Sequence, residues 1–135
     1  MKNKAGIIAI IISIVAVALS IVTLVRPAEK ADVQYVMYIG TNDKDTNQPV
    51  CTPKAARELV ENVLVSHFGG YTIQEANGGW EDDGKHYQEY SVVAIISDTN
   101  LDAVHKAADE LRGKLNQESI LIQTNKTKTE FYKGK

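Results

Sequence analysis

The stretch Val33-Gln34-Tyr35-Val36-Met37-Tyr38-Ile39-Gly40 decides the fold, because its β-branched and aromatic residues predict a strand. A strand that is apolar on both faces is typical of the centre of a sheet covered on two sides. The segment 90–96 is likewise apolar on both faces, so we expect two central strands. The apolar side chains of the first strand divide between its faces as Val33, Tyr35, Met37 and Ile39 on one, and Val36 and Tyr38 on the other.

The neighbouring elements follow from their capping and turn residues. Thr52-Pro53 predicts the start of a helix, since threonine caps a first turn and proline suits the first helical position. Gly69-Gly70 predicts the end of that helix. A strand over Tyr71 to Trp80 then leads to Asp83-Gly84, a strong hairpin signal. The return strand is predicted over Lys85 to Ser97.

A second helix and a last strand complete the pattern. Asp98-Thr99-Asn100 supplies the helix cap, and Thr99 and Asp102 have the spacing of a capping box. Apolar residues then recur at steps of three and four, which predicts one buried helix face. The last main strand is predicted over Glu118 to Thr124.

The resulting order, βαββαβ, predicts an α+β, ferredoxin-like sandwich, in which two helices cover one face of an antiparallel sheet. This plan places the first and third strands at the centre, as their apolar faces require. Since helices cover only one face, we expect a second copy to pack on the other, giving a homodimeric α+β barrel. Extended hairpin arms near Trp80 would cross to the partner.

The stretch Ala5 to Val25 predicts a transmembrane helix. Its 21 residues include 13 Ile, Val or Leu and no charge, and as a helix it would span about 31 Å, close to a bilayer's hydrocarbon thickness. Pro27 then ends the helix. The sequence therefore predicts a membrane anchor over residues 1–26, a linker over 27–32 and a soluble ferredoxin-like domain over 33–135.

A cleaved signal peptide is the alternative for this stretch, because Met1-Lys2-Asn3-Lys4 is basic like the start of a leader. The apolar run is longer than a leader's core, and its small-residue pattern Ala16-Val17-Ala18 lies inside it. These features favour an uncleaved, single-pass anchor in the cell membrane. Lysine and arginine are nearly balanced on its two sides, and the short N-terminal tail favours an extracytoplasmic domain.

Charge and cysteine content exclude some classes of function. After Arg26 the chain holds 12 Lys or Arg against 17 Asp or Glu, and it lacks the basic stripe that a nucleic-acid partner requires. Cys51 is alone, which excludes an intrachain disulfide and a thiolate metal cluster. One mildly basic tail is interpreted as a solvated strand end, ahead of a lipid or nucleic-acid contact. It contains Lys126, Lys128, Lys133 and Lys135.

Aromatic and ionisable residues gather around the second and third strands, where Tyr71, Trp80, His86, Tyr87 and Glu89 are the candidate ligand-binding residues. Such a set suits a small organic ligand, with His86 or Glu89 as a base. The competing interpretation is that the aromatics fill a dimer interface. His86 and Glu89 are three apart on a strand and so on opposite faces, which argues against a metal site. No cofactor is predicted.

Two short motifs carry a family resemblance. The chain resembles a bacterial family of uncharacterised ferredoxin-like domains, secreted or membrane-anchored, at Gly78-Gly79-Trp80 and at Asn116-Gln117-Glu118-Ser119-Ile120-Leu121. We expect a strand bulge at the two glycines of the first motif. The resemblance covers Tyr35 to Thr124. It implies the fold and an envelope location, and it implies no activity.

Two functions therefore remain open. The first is a membrane-anchored, extracytoplasmic binding or protein-interaction domain without catalysis. The second is a small, cofactor-independent, dimeric α+β barrel enzyme acting on an organic substrate, an expectation from fold analogy alone. Paired carboxylates, or a base beside an activated nucleophile, would favour the enzyme, and the sequence assembles neither. We favour the first function.

Overall fold

In residues 32–135, four strands and two helices follow one another in the predicted order. The structure is a computed structural model that describes residues 32–135, so the predicted anchor lies outside the described residues. Within residues 32–135, no helix has the length and apolar character needed to cross a membrane. The elements are β1 (Asp32–Gly40), α1 (Pro53–Phe68), β2 (Thr72–Asp82), β3 (Lys85–Ile96), α2 (Leu101–Lys114) and β4 (Leu121–Thr127).

The strands form one antiparallel sheet in the order β2-β3-β1-β4. This order belongs to the ferredoxin-like plan, so the predicted α+β fold class is confirmed. β1 and β3 occupy the centre, as their doubly apolar sequences predict. Tyr35 faces Ile96 and Gly40 faces Ser91 where these two strands pair, and Tyr38 pairs with Leu121 of β4.

The hydrophobic core lies between the sheet and the two helices. Alternation along the strands directs one set of side chains toward α1 and α2, and these include most of the buried strand residues; Val36, 9% exposed, is buried on the opposite face. The helices contribute residues at helical spacing, so each buries one face. The central members of this core are Met37, Ile39, Val60, Leu64, Val92, Ala94, Ile96, Val104 and Leu111.

Both helices begin with a side-chain cap. Thr52 caps α1 by accepting a hydrogen bond from the backbone N–H of Ala55, as the sequence predicts. Asn100, with extended backbone, caps α2 and accepts from the N–H of Ala103 at 3.0 Å. The predicted Thr99–Asp102 capping box is wrong, because α2 starts one residue later than that pairing requires.

The β2–β3 hairpin turns at Asp83-Gly84, as predicted. Both residues have positive φ, 48° and 72°, which is the backbone of a two-residue turn matched to the twist of paired strands. The predicted bulge at Gly78-Gly79 is wrong, because the pairing with β3 runs through this point without a break. Crowding accounts for Gly79, since an added Cβ would lie 3.0 Å from the carbonyl oxygen of Tyr87.

The sheet face turned away from the helices carries apolar side chains, and we call it the open face. Tyr38 of β1 is 39% exposed there and Leu121 of β4 is 59% exposed. By alternation, Val93 and Ile95 of β3 point to the same side. The Tyr38 hydroxyl donates to Gln123 Oε1 at 3.2 Å and stays on this surface. The second copy expected to cover this face stays a prediction.

Candidate functional site

The β2–β3 hairpin extends beyond the end of β1. Pairing between β1 and β3 stops at Gly40 and Ser91, whereas pairing between β2 and β3 continues to Asp82 and Lys85. The six further residues of β3 project about 20 Å past the end of β1. This projection, residues 77–90, is called the hairpin arm, and it holds four of the five predicted ligand-binding residues.

An aromatic pair stiffens the arm. Trp80 and Tyr87 face each other across the hairpin, with their rings stacked at a centroid distance of 5.4 Å and an angle of 14°. The ammonium of Lys85 lies 4.9 Å from the centre of the Tyr87 ring. Cross-strand aromatic pairs and cation–π contacts each stabilise a hairpin by about 1 kcal/mol. By alternation these rings belong to the open face.

The carboxylate of Glu89 is engaged in holding the chain that follows β1. Its Oε2 accepts hydrogen bonds from the backbone N–H groups of Thr41 at 2.9 Å and Asn42 at 3.1 Å. Gly40 makes this approach possible, because a Cβ there would stand 2.6 Å from both carboxylate oxygens. Glu89, predicted as a base, is therefore the acceptor for two buried amides.

The same junction contains a buried amide that is only partly satisfied. Asn42 is 6% exposed and its Nδ2 donates to the carbonyl of Gln88 at 3.1 Å. Its Oδ1 has no hydrogen-bond partner among the described residues. The Thr41 hydroxyl donates to the carbonyl of Tyr90 at 2.7 Å, so two side chains continue the β1–β3 pairing where the backbone leaves it.

Tyr90 brings a second unpaired group to the arm. Its hydroxyl is buried and has no hydrogen-bond partner among residues 32–135. Burial raises the pKa of the Tyr90 phenol, and the nearby carboxylate of Glu75 raises it further, while the guanidinium of Arg57 opposes the change. Arg57 bonds Glu75 at 3.1 Å and Glu61 at 3.0 Å, so it ties α1 to β2.

An open depression of about 690 Å³ lies along the arm. Its lining is mainly polar, and it includes Tyr90 and two of the predicted residues, His86 and Glu89. Such a surface offers hydrogen-bond donors and acceptors to a small polar ligand. Within the described part of the chain, no three His, Cys, Asp or Glu side chains are grouped so that they could hold a metal ion. The complete lining is Asn77, Gly78, Gly79, His86, Gln88, Glu89 and Tyr90.

The loop between β1 and α1 is fixed at a second point. The Asn116 side-chain amide donates to Asp43 Oδ2 and Asp45 Oδ2, both at 2.9 Å, and the backbone carbonyl of Asn116 accepts the N–H of Lys44 at 3.0 Å. The hydrogen bond from Asn116 lowers the pKa of each carboxyl below its ordinary value. This loop is thus tied to the corner between α2 and β4.

The structure brings four of the predicted site residues onto one arm and leaves the fifth apart. Tyr71 precedes β2, nine residues from Trp80, which corresponds to about 30 Å along the strand. His86 emerges on the face opposite Tyr87 and Glu89, because the register preserves alternation. Whether any of them binds a ligand stays a prediction.

Sequence reasoning missed Asn42 and Tyr90, since no local pattern marks a polar atom that will be buried unpaired.

The model of the family described as "Protein of unknown function (DUF3574)" matches residues 34–131. No curated protein matches the chain. Its fold is similar to that of a phage SAM lyase in complex with S-methyl-5'-thioadenosine, at 17% identity and a TM-score of 0.51, over 81% of this chain and 98% of that one. This likeness shows the fold alone.

Two further solved structures have lower similarity. CutA from the bacterium Xylella fastidiosa is 16% identical with a TM-score of 0.49, over 73% of this chain and 86% of that one. The periplasmic divalent cation tolerance protein CutA from Archaeoglobus fulgidus is 12% identical with a TM-score of 0.48, over 73% and 87%. At these values neither neighbour carries an argument about function.

Proposed function

Since the chain belongs to DUF3574, a family described as a protein of unknown function, we propose its function from its own residues. We propose a membrane-anchored, extracytoplasmic binding domain that acts through its open sheet face and performs no catalysis. Its first partner is a second copy of the chain.

The observation that carries this proposal is the apolar character of the open face. Tyr38 and Leu121 are paired neighbours at its centre and edge, and both are exposed, at 39% and 59%. Exposed apolar surface of this kind, bordered by polar groups, is typical of a protein interface. Two sheets packed face to face at about 10 Å would bury these side chains together with Val93 and Ile95.

The anchor and the orientation are supported by the sequence. Ala5 to Val25 is long and apolar enough to span a bilayer, and only residues 26–31 separate it from β1. Alkaline carbonate extraction of membranes tests the anchor, because a spanning helix stays in the pellet. Protease added to sealed cells or spheroplasts then tests the orientation, because an extracytoplasmic domain is digested without lysis.

Sedimentation of the fragment 28–135 tests the interface. We expect a dimer at high micromolar concentration, and a monomer when Tyr38→Ser and Leu121→Ser are combined. Val50→Ser is the matched control, since Val50 is 41% exposed and lies in the β1–α1 loop rather than on the sheet. A wild-type fragment that remains monomeric at these concentrations refutes the second copy as partner.

The alternative, ligand binding with catalysis by a dimeric barrel, has one observation in its favour. Tyr90, whose buried hydroxyl has no hydrogen-bond partner among residues 32–135, is one of the residues that line the polar depression on the arm. Small polar molecules can be screened by the fluorescence of Trp80, the single tryptophan, which lies on this arm. A molecule that changes this fluorescence in wild type, fails to do so in Tyr90→Phe and is chemically converted would favour the enzyme.

A further inference from the structure

The described domain has two distinct ends. β1 starts at Asp32, and β4 is antiparallel to it, so Thr127 at the end of β4 pairs with Asp32. The segment that follows β4 therefore emerges beside the point where the chain enters the domain. The backbone N–H of Thr129 donates to Asp32 Oδ2 at 2.9 Å, which holds this segment there. We call this the entry end, and the tip of the hairpin arm lies at the opposite end.

The segment at the entry end is both basic and aromatic. Residues 126–135 contain four lysines against one acidic residue, Glu130. Phe131 and Tyr132 in its middle are 73% and 74% exposed. The segment beyond Thr127 forms neither helix nor strand, so its side chains are not committed to the sheet. We call residues 126–135 the C-terminal tail.

Other exposed apolar side chains collect at the same end. Val65 lies in the last turn of α1, Tyr71 just before β2 and Leu101 at the first position of α2. With Phe131 and Tyr132 these make five of the eight large exposed hydrophobic side chains among the described residues. The sheet order explains why they meet, since α1 descends to this end and α2 begins from it.

From this placement we propose that the C-terminal tail binds the surface of an anionic lipid bilayer, an inference that rests on the proposed membrane anchor. Six residues separate Val25, the end of that anchor, from Asp32, so the entry end lies within about 25 Å of the point where the chain leaves the bilayer. Aromatic side chains partition into the headgroup region, and lysines are attracted to anionic lipids beside it.

The acidic groups at the entry end do not cancel this attraction. Asp32 accepts the Thr129 amide and keeps its charge, whereas Asp102 pairs with Lys106 at 2.7 Å. Even when Asp32, Asp98 and Glu130 are all counted as free carboxylates, their three charges are fewer than the four lysines of the tail. Each lysine close to an anionic surface strengthens binding about five-fold, so three lysines together contribute about 100-fold.

The test places a spin label on the tail of the full chain. Cys51→Ser removes the native thiol, and Lys135→Cys carries the nitroxide, a choice that gives up one lysine and so works against the proposal. The chain is reconstituted into vesicles of phosphatidylcholine alone or of an equal mixture with phosphatidylglycerol. Collision with oxygen and with a water-soluble nickel chelate then reports the depth of the label. A label at Asp82→Cys, on the hairpin arm, is the control.

We expect the tail label to move into the headgroup region in the mixed vesicles and to stay in water with phosphatidylcholine alone. Lys126, Lys128 and Lys133 changed together to Gln should return it to water, as should Phe131→Ser with Tyr132→Ser. The Asp82 label should remain in water throughout. An aqueous tail label in mixed vesicles, or equal depth in both vesicles, overturns the anionic lipid surface as partner.

Carbonate extraction of the same vesicles distinguishes a failure of the tail contact from a failure of the membrane anchor on which it rests. If the chain is released, the anchor is refuted and the tail contact, which rests on it, is overturned with it. If the chain is retained and the tail label is aqueous, the tail contact alone fails and the anchor stands.

Discussion

Replacing Glu89 tests whether its carboxylate holds the β1–α1 loop to the hairpin arm. Its Oε2 accepts two backbone N–H groups, from Thr41 and Asn42, which are 1% and 6% exposed. Glu89→Ala removes the acceptor and leaves both amides buried without a partner. A buried unsatisfied group costs about 1 to 3 kcal/mol, so the pair should lower the free energy of unfolding by about 3 kcal/mol.

Glu89→Gln separates the charge from the acceptor. Its side-chain oxygen can still accept both amides, and only the contribution of the charge is lost, about 1 kcal/mol. Urea unfolding of the fragment 28–135, followed by circular dichroism, gives the three free energies. Amide hydrogen exchange should accelerate at Thr41 and Asn42 in the Ala variant.

The control is Glu81→Ala, which removes an exposed glutamate from the same hairpin and should change stability by less than about 0.5 kcal/mol. If Glu89→Ala unfolds within 1 kcal/mol of wild type, as an order-of-magnitude limit, the carboxylate does not satisfy these amides as described. Equal losses in the Ala and Gln variants would instead assign the effect to the charge.

Three further predictions concern other sites. Tyr90→Phe should leave the domain at least as stable as wild type at neutral pH, because the deleted hydroxyl is buried without a partner among the described residues; since burial raises the pKa of Tyr90 above 10.0, wild type should lose more stability than the variant as pH rises beyond that value. Asn116→Ala should be less stable than wild type at neutral pH, and this difference should shrink as pH falls below the ordinary carboxyl value of 3.8, because the lowered pKa values of Asp43 and Asp45 stabilise the fold only while they are ionised. A pH-independent part should remain, since residue 116 has a φ of 45°, which alanine adopts only with strain. Urea titrations at each pH measure both parts. Leu64→Ala, at a fully buried position of α1, should cost about 2 to 5 kcal/mol in the same urea assay, and a loss below 1 kcal/mol would contradict the packing described.

The fold was predictable because its strongest signals are local. The doubly apolar strand at Val33–Gly40 predicted a central position, and Asp83-Gly84 predicted the hairpin turn, and both predictions are confirmed. The errors lie where two local options differ by one residue or by a steric contact. The cap of α2 is Asn100 rather than Thr99, and the two glycines of β2 relieve crowding without a bulge.

The candidate site was predictable only in part, because it depends on contacts between distant segments. Composition placed aromatics on the hairpin, and Trp80 and Tyr87 do stack there. The role of Glu89 depends on Gly40, 49 residues earlier in the chain, whose missing Cβ admits the carboxylate. Alternation alone assigns Glu89 a face and says nothing of the amides that it meets. Which molecule covers the open face likewise depends on contacts that alternation along a strand does not reveal.

The central position of β1 has a consequence for how the domain is made. β1 is the first described element to leave the ribosome, yet its two neighbours are β3 and β4, whose paired residues lie 51 to 95 positions later. The β2–β3 hairpin needs only its own turn and can form early. β1, in contrast, remains unpaired on both edges until β3 and β4 have been synthesised. Non-local pairing of this kind slows folding and exposes strand edges to other chains. A nascent chain stalled before Leu121 would therefore carry an unpaired edge on β1, and a chaperone that masks extended apolar segments would act at this stage of synthesis.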